Sequence, residues 1–186
     1  MMYKLLSMVL LSVATLPLFA APFDAKIHMV NFPQDQEAKI HRAVHLIKEV
    51  IASPEFKQRV LEHTYEGQKT YLGNNGMTNE QIYQHILDGS ETLIPGKNGR
   101  MDVELELYHD PSTTIGYTYP NTTRIWINKK YFNKYTPVQV ADNLFHEWLH
   151  KLGFDHALKY SKSRNYSVPY AIGYLVEELA HKYYKP

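Results

Sequence analysis

The chain has 186 residues, 44% of them hydrophobic and 21% charged, with a formal net charge of +1. That is the size and balance of one globular domain, which excludes a mainly disordered chain and leaves no broad cationic footprint for nucleic acid. The chain has no cysteine, which excludes a disulfide scaffold, a cysteine nucleophile, thiolate metal ligands and a lipidated cysteine, whereas ten histidines and fifteen tyrosines are available for chemistry.

Residues 1–20 read as a secretory signal peptide. Lys4 supplies the charged start, Leu5 to Ala14 the apolar stretch, and Pro17-Leu18-Phe19-Ala20-Ala21 the small-residue exit, with the cut expected after Ala20. The apolar run is shorter than the ~20 residues that a membrane span needs. The expected product is residues 21–186, a single domain secreted or periplasmic, with no stable membrane anchor after signal cleavage. Losing Lys4 brings its net charge to zero.

Ala25 to Asn31 is a candidate first strand. Gln34 to Ser53 reads as a helix, because Ile40, Val44, Ile47 and Ile51 recur at helical spacing and mark one buried face. His41 and His45 lie four apart on it, but no glutamate follows His41 and no third ligand is apparent. They read as a solvated or partly packed pair. Pro54 stops this helix and opens a second through Phe56, Val60 and Leu61. Gly67 to Gly76 is turn-rich. Thr78 with Gln81 predicts a capping box on a short helix, Asn79 to Leu87.

The period then changes. From Met101 to Tyr108, Val103, Leu105 and Leu107 alternate with Asp102, Glu104 and Glu106, the pattern of a half-buried strand. The acidic row reads as its solvated face rather than a cation site. Thr114 to Tyr119 and Thr123 to Asn128 are two further strands, joined through a tight turn at Pro120-Asn121. Thr136-Pro137 predicts a helix N-cap with proline at the first helical position. That helix should run to about Leu152 on the stripe Ala141, Leu144, Phe145, Trp148 and Leu152, with Gly153 at its C-terminal cap. Ser167 to Lys182 reads as a closing helix on Ile172, Leu175, Val176, Leu179 and Tyr183. The order of elements predicts an α+β fold with segregated layers: a small mixed sheet, N-terminal helices, an active-site helix and a C-terminal helix.

Chemistry concentrates in Phe145-His146-Glu147-Trp148-Leu149-His150-Lys151-Leu152-Gly153-Phe154-Asp155-His156, which reads H-E-x-x-H-x-x-G-x-x-H. Residues four apart on a helix share a face, so His146 and His150 aim two imidazoles at one point. Zinc takes nitrogen ligands at about 2.0–2.1 Å, and a catalytic site uses three protein ligands plus water. Glycine at 153 permits a positive φ and a sharp exit, which brings His156 back as the third ligand. Glu147 lies about 100° around the helix from His146 and is placed to act as general base toward water rather than as a ligand. Five fixed positions at about one in twenty each give a chance expectation on the order of 10⁻⁴ to 10⁻⁵ for a chain of this length.

This motif resembles the zinc signature of the metzincins, a clan of zinc metalloendopeptidases with a zincin-like fold. The specific likeness covers residues 145–156. It implies one catalytic zinc ion on His146, His150 and His156, Glu147 as base and Gly153 as the structural turn. It also implies an edge strand that binds extended substrate by main-chain hydrogen bonds; the candidate is Thr114-Ile115-Gly116-Tyr117-Thr118, with Ile115, Gly116 and Tyr117 as its substrate-binding residues. The family places a methionine in a turn below the metal, and this chain has none after Met101. Val168 or Pro169 stands in that region as an apolar floor. With Val168 in the methionine's place, Tyr170 falls where some members carry a tyrosine that donates to the developing oxyanion. Tyr166 and Tyr174 are its rivals.

The expected activity is zinc-dependent hydrolysis of internal peptide bonds by activated water. The expected partner is a protein or peptide substrate, with no nucleic acid and a monomeric chain. The alternative is a zinc-stabilised secreted binding module that cleaves nothing. Intact Glu147 argues against it, because a purely structural site needs no base. Asp155 is a candidate for orienting a ligand histidine or for capping.

Overall fold

The computed structural model describes residues 23–94 and 96–185. The expected signal peptide, residues 1–20, lies outside the described residues.

Strand β1 (Asp24–Val30) leads into helix α1 (Gln34–Ala52), which carries two acids, Asp35 and Glu37, in its first turn, where they complement the helix dipole. The buried face of α1 is Ile40, Ala43, Leu46, Ile47, Val50 and Ile51. Val44 is only partly buried, so the packed stripe runs one position aside from the expected one. Ser53 ends α1 and begins α2 (Pro54–Glu62): its hydroxyl donates to Val50 O and accepts from Phe56 N. Helix α3 (Asn79–Asp88) starts on the Thr78–Gln81 capping box and stops at Gly89 in the left-handed region.

The sheet follows. Strand β2 (Arg100–Tyr108) lies parallel to β1 on one side and to β4 (Arg124–Asn128) on the other, and β3 (Gly116–Thr118) pairs antiparallel with β4 at the edge. The order is β1-β2-β4-β3. Parallel pairing of β1 with β2 requires a long crossover, which α1, α2 and α3 supply. Met101, Val103, Leu105 and Leu107 of β2 and Ile125 and Ile127 of β4 face the helices and are buried. On the opposite face Arg124 pairs with both Glu104 and Glu106, and Arg100 with Asp102. The acidic row is therefore balanced by arginines.

A short helix, α4 (Lys129–Phe132), turns the chain into α5 (Pro137–Lys151). A 3-10 turn, Lys162–Tyr166, precedes α6 (Val168–Tyr183). Helix α5 is the central element: Val138, Val140, Ala141, Leu144, Phe145, Trp148 and Leu149 are all buried. It lies among α1, α6 and the sheet, and Phe145 sits edge-on to Phe56 of α2. Among the described residues, six α-helices and a four-stranded mixed sheet, with the helices packed on one sheet face, make the fold α+β. Among the described residues no helix is long and apolar enough to cross a membrane.

Candidate metal centre

Helix α5 begins on a capping box. Thr136 accepts from Gln139 N, Gln139 Oε1 accepts from Thr136 N, and Pro137 occupies the first turn. This start sets the phase of the helix, so that His146 and His150 emerge one turn apart on the face toward a cleft, ring centroids 5.2 Å apart. The helix ends at Leu152. Gly153 follows with φ +90°, a conformation that costs a residue with a Cβ about 1–3 kcal/mol. The turn is pinned from outside: Asn75 Nδ2 donates to Gly153 O, and the buried Phe154 ring meets His85 edge-on.

That turn returns His156 to the other two. Its ring centroid lies 5.2 Å from that of His146 and 4.8 Å from that of His150. The Nε2 atoms of His146 and His156 are 3.2 Å apart, and one ligand atom from each of the three rings lies within 4.8 Å of the others. Two of the rings are anchored by backbone carbonyls: His150 Nδ1 donates to Phe154 O (2.8 Å) and His156 Nδ1 to Ala157 O (3.1 Å). Such anchors set the tautomer and leave Nε2 lone pairs for a ligand. Burial, followed by repulsion from its two neighbours, pushes His146 down to about 3, and burial also lowers His150. Burial thus favours the neutral form of His146 and His150, the form a metal ligand needs, and the three-histidine cluster could hold a metal ion.

Glu147 is 6% exposed, and burial raises its carboxyl to about 8, opposed by Lys151 and reinforced by Asp142. Asn143, Glu147 and Lys151 recur every four residues and form the row of α5 turned toward β3. Lys151 Nζ donates to Tyr119 O (2.9 Å) and Thr122 O (2.6 Å), which clamps the β3–β4 turn to the helix. At the other end of β3, a Cβ on Gly116 would stand 2.7 Å from Asn143 Oδ1, so a larger residue there would displace the Asn143 side chain.

The observed strand is shorter than expected. It covers Gly116–Thr118, and Ile115 lies just before it, joined to β4 by one bond from Asn128 N to Ile115 O (2.8 Å). Thr114 is diverted because its carbonyl accepts from the buried Asn128 side chain. Ile115, Gly116 and Tyr117 all line the cleft, a space of about 930 Å³ between β3 and the segment after α5. Among the described residues β3 has β4 as its one strand neighbour, which leaves its second edge unpaired there.

Tyr170 lies against the histidines, its ring centroid 4.5 Å from that of His146 and 4.6 Å from that of His156. Burial raises its phenol, and Arg164 opposes that rise. The rivals lie farther off. Tyr174 reaches only Tyr170, and Tyr166 packs on His63 and Tyr65. Val168 and Pro169 are both buried where α6 starts. Asp155 acts locally, accepting from His156 N at 2.7 Å while standing 3.8 Å from His150 Nδ1. His41 and His45 remain exposed on α1 and join no cluster.

Sequence reasoning passed over Asn143, Lys151 and Arg164. The first two carried a signal, a four-residue spacing through Glu147. Arg164 carried none, because its place in the cleft depends on how the 3-10 turn packs. Comparison of the chain with protein-family models and with curated proteins finds no match.

Proposed function

We propose that this protein is an exported zinc-dependent endopeptidase of the metzincin type, with a zincin-like arrangement of its α+β fold. One observation carries the reading: three imidazoles converge beside a buried glutamate, beneath a strand whose second edge is unpaired among the described residues. Zinc–nitrogen bonds of about 2.0–2.1 Å in a tetrahedral shell place ligand nitrogens about 3.3–3.4 Å apart. The 3.2 Å between His146 and His156 Nε2 fits that shell, and an all-imidazole donor set suits zinc.

His146, His150 and His156 would hold the ion. When bound, zinc supplies Lewis acidity, which acidifies water and polarises a carbonyl. The remaining work belongs to the chain. Glu147 accepts the proton of the attacking water at a carboxylate oxygen and delivers it to the departing amine. Burial raises the Glu147 carboxyl, the direction that helps it pass the proton on to the amine. The Tyr170 phenol donates a hydrogen bond to the oxyanion developing on the substrate carbonyl. Ile115, Gly116 and Tyr117 offer backbone groups to an extended peptide, which adds itself to the sheet edge. Lys151 ties the end of that strand to the helix.

The test is cleavage of a mixed peptide library by the purified protein, read by mass spectrometry with and without a zinc chelator. Chelation should abolish cleavage and zinc should restore it. Glu147→Gln should retain the metal and lose roughly 10²- to 10⁴-fold in rate, the usual contribution of a general base. Full activity in that variant would sink the mechanism. A folded, zinc-loaded protein that cleaves nothing would favour a zinc-stabilised binding module instead.

A further inference from the structure

Arg164 is the cation of the cleft wall, and its charge is unanswered. Three other arginines pair with carboxylates: Arg59 with Glu178, Arg100 with Asp102, and Arg124 with Glu104 and Glu106. Among the described residues Arg164 pairs with none. One nitrogen, Nη1, makes a single bond to Leu158 O at 3.3 Å, and Nε is buried without any partner. A guanidinium has five N–H donors in a planar fork; with Nε enclosed, the donors left for a ligand are those of the two Nη atoms, of which one bonds Leu158 O.

Its position is held rather than incidental. Arg164 N donates to the Ser161 hydroxyl, and Arg164 O accepts from the Ser167 hydroxyl at 2.7 Å, which fixes the 3-10 turn at both sides. The guanidinium carbon stacks 4.5 Å from the centroid of Tyr170, whose ring in turn lies 4.5 Å from that of His146. One aromatic ring therefore separates the guanidinium from the three-histidine cluster. The Tyr160 ring centroid lies 5.5 Å from the guanidinium carbon as well, and Arg164 lines the cleft; contact with the two rings limits the entropy lost on binding.

We propose that Arg164 is a specificity-determining residue that binds a carboxylate of the substrate chain next to the metal centre. The preferred substrates then carry either an acidic side chain beside the cut or a free C-terminal carboxylate at that distance. A carboxylate matches the unused donors in charge and in planar, bidentate shape. This rests on the peptidase reading of the cleft. It adds the chemical class of substrate, which the motif alone leaves open.

Binding separates the two claims. Three fluorescent alanine-rich peptides serve as probes: one amidated with a central aspartate, one identical but with asparagine, and a shortened neutral one with a free C-terminal carboxylate. Each is titrated into Glu147→Gln protein by fluorescence anisotropy, in zinc and in chelator, so that no turnover intervenes. One or both carboxylate peptides should bind roughly tenfold tighter than the amidated asparagine peptide. The aspartate peptide winning identifies an internal acid, and the free terminus winning identifies chain-end recognition. Arg164→Met, added to Glu147→Gln, should erase the preference while thermal melting shows the fold retained. Arg164→Lys should restore part of it, because the charge returns without the fork. Equal affinity for all three peptides overturns the proposal, as does a preference that survives Arg164→Met. If the preference is present but the wild-type protein cleaves none of the peptides, the peptidase reading fails and the carboxylate site stands.

Discussion

Two helices of this protein carry histidines four residues apart, and they do opposite things with them. On α1, His41 and His45 point into solvent. On α5, His146 and His150 point into a cleft and meet a third imidazole. Spacing is identical, so spacing alone supplies only direction. What α5 adds is a turn at Gly153 that returns the chain, carbonyls behind the His150 and His156 rings, and burial that favours the neutral form of His146 and His150. A metal site is thus a property of the turn and the surroundings as much as of the helix.

The comparison breaks most sharply at the ligands. His150→Ala should weaken zinc binding by more than about 100-fold, because loss of an outer-shell partner alone costs about 10–100-fold. His41→Ala with His45→Ala should leave affinity and stoichiometry unchanged, as read by calorimetric titration. If the α1 variant loses metal, the contrast between the helices is wrong.

The next largest effect tests the turn. Gly153→Ala forces a Cβ into φ +90° and sets it 3.2 Å from Thr92 Cγ2. It should destabilise the protein by about 1–3 kcal/mol and weaken metal binding, since His156 loses its return path. An unchanged melting temperature and metal affinity would show that the turn is not what positions the third ligand.

The smallest effect concerns burial, which separates the two helices most quietly. Asp142 on α5 is raised from 3.8 to about 7, by burial first and then by Glu177. Between those two pH values the folded chain holds more protons than the unfolded one, so this group's contribution to stability falls as pH rises through about 7. In the metal-free protein Asp142→Asn should reduce the slope and leave the variant more stable at pH 8 by on the order of 1–2 kcal/mol. Melting at pH 5 and pH 8 reads this directly. A slope unchanged by the substitution would place the pH dependence on other groups.

Several elements were legible because their signals are local. The Thr78–Gln81 box starts α3, Thr136-Pro137 starts α5, and the alternation in residues 101–108 became β2. Other features were not. Helix α4 and the 3-10 turn are too short to show a period. Val44 gave way to Ala43 and Leu46 because the sheet and α5 press on α1 from a direction that periodicity does not report. Thr114 and Ile115 left the expected strand because the buried Asn128 amide draws the Thr114 and Asp110 carbonyls aside.

By itself, the sequence determined the α+β order of elements and the two histidines of α5 with Glu147 between them, since helix geometry converts spacing into direction without outside help. Only the tertiary structure decided that His156 comes within reach, that Lys151 ties an edge strand down beside the cluster, and that Arg164 lies across Tyr170 with no carboxylate partner among the described residues. Those contacts join residues far apart in the chain or across a turn. Their existence depends on how surfaces pack, and no local pattern encodes a packing distance.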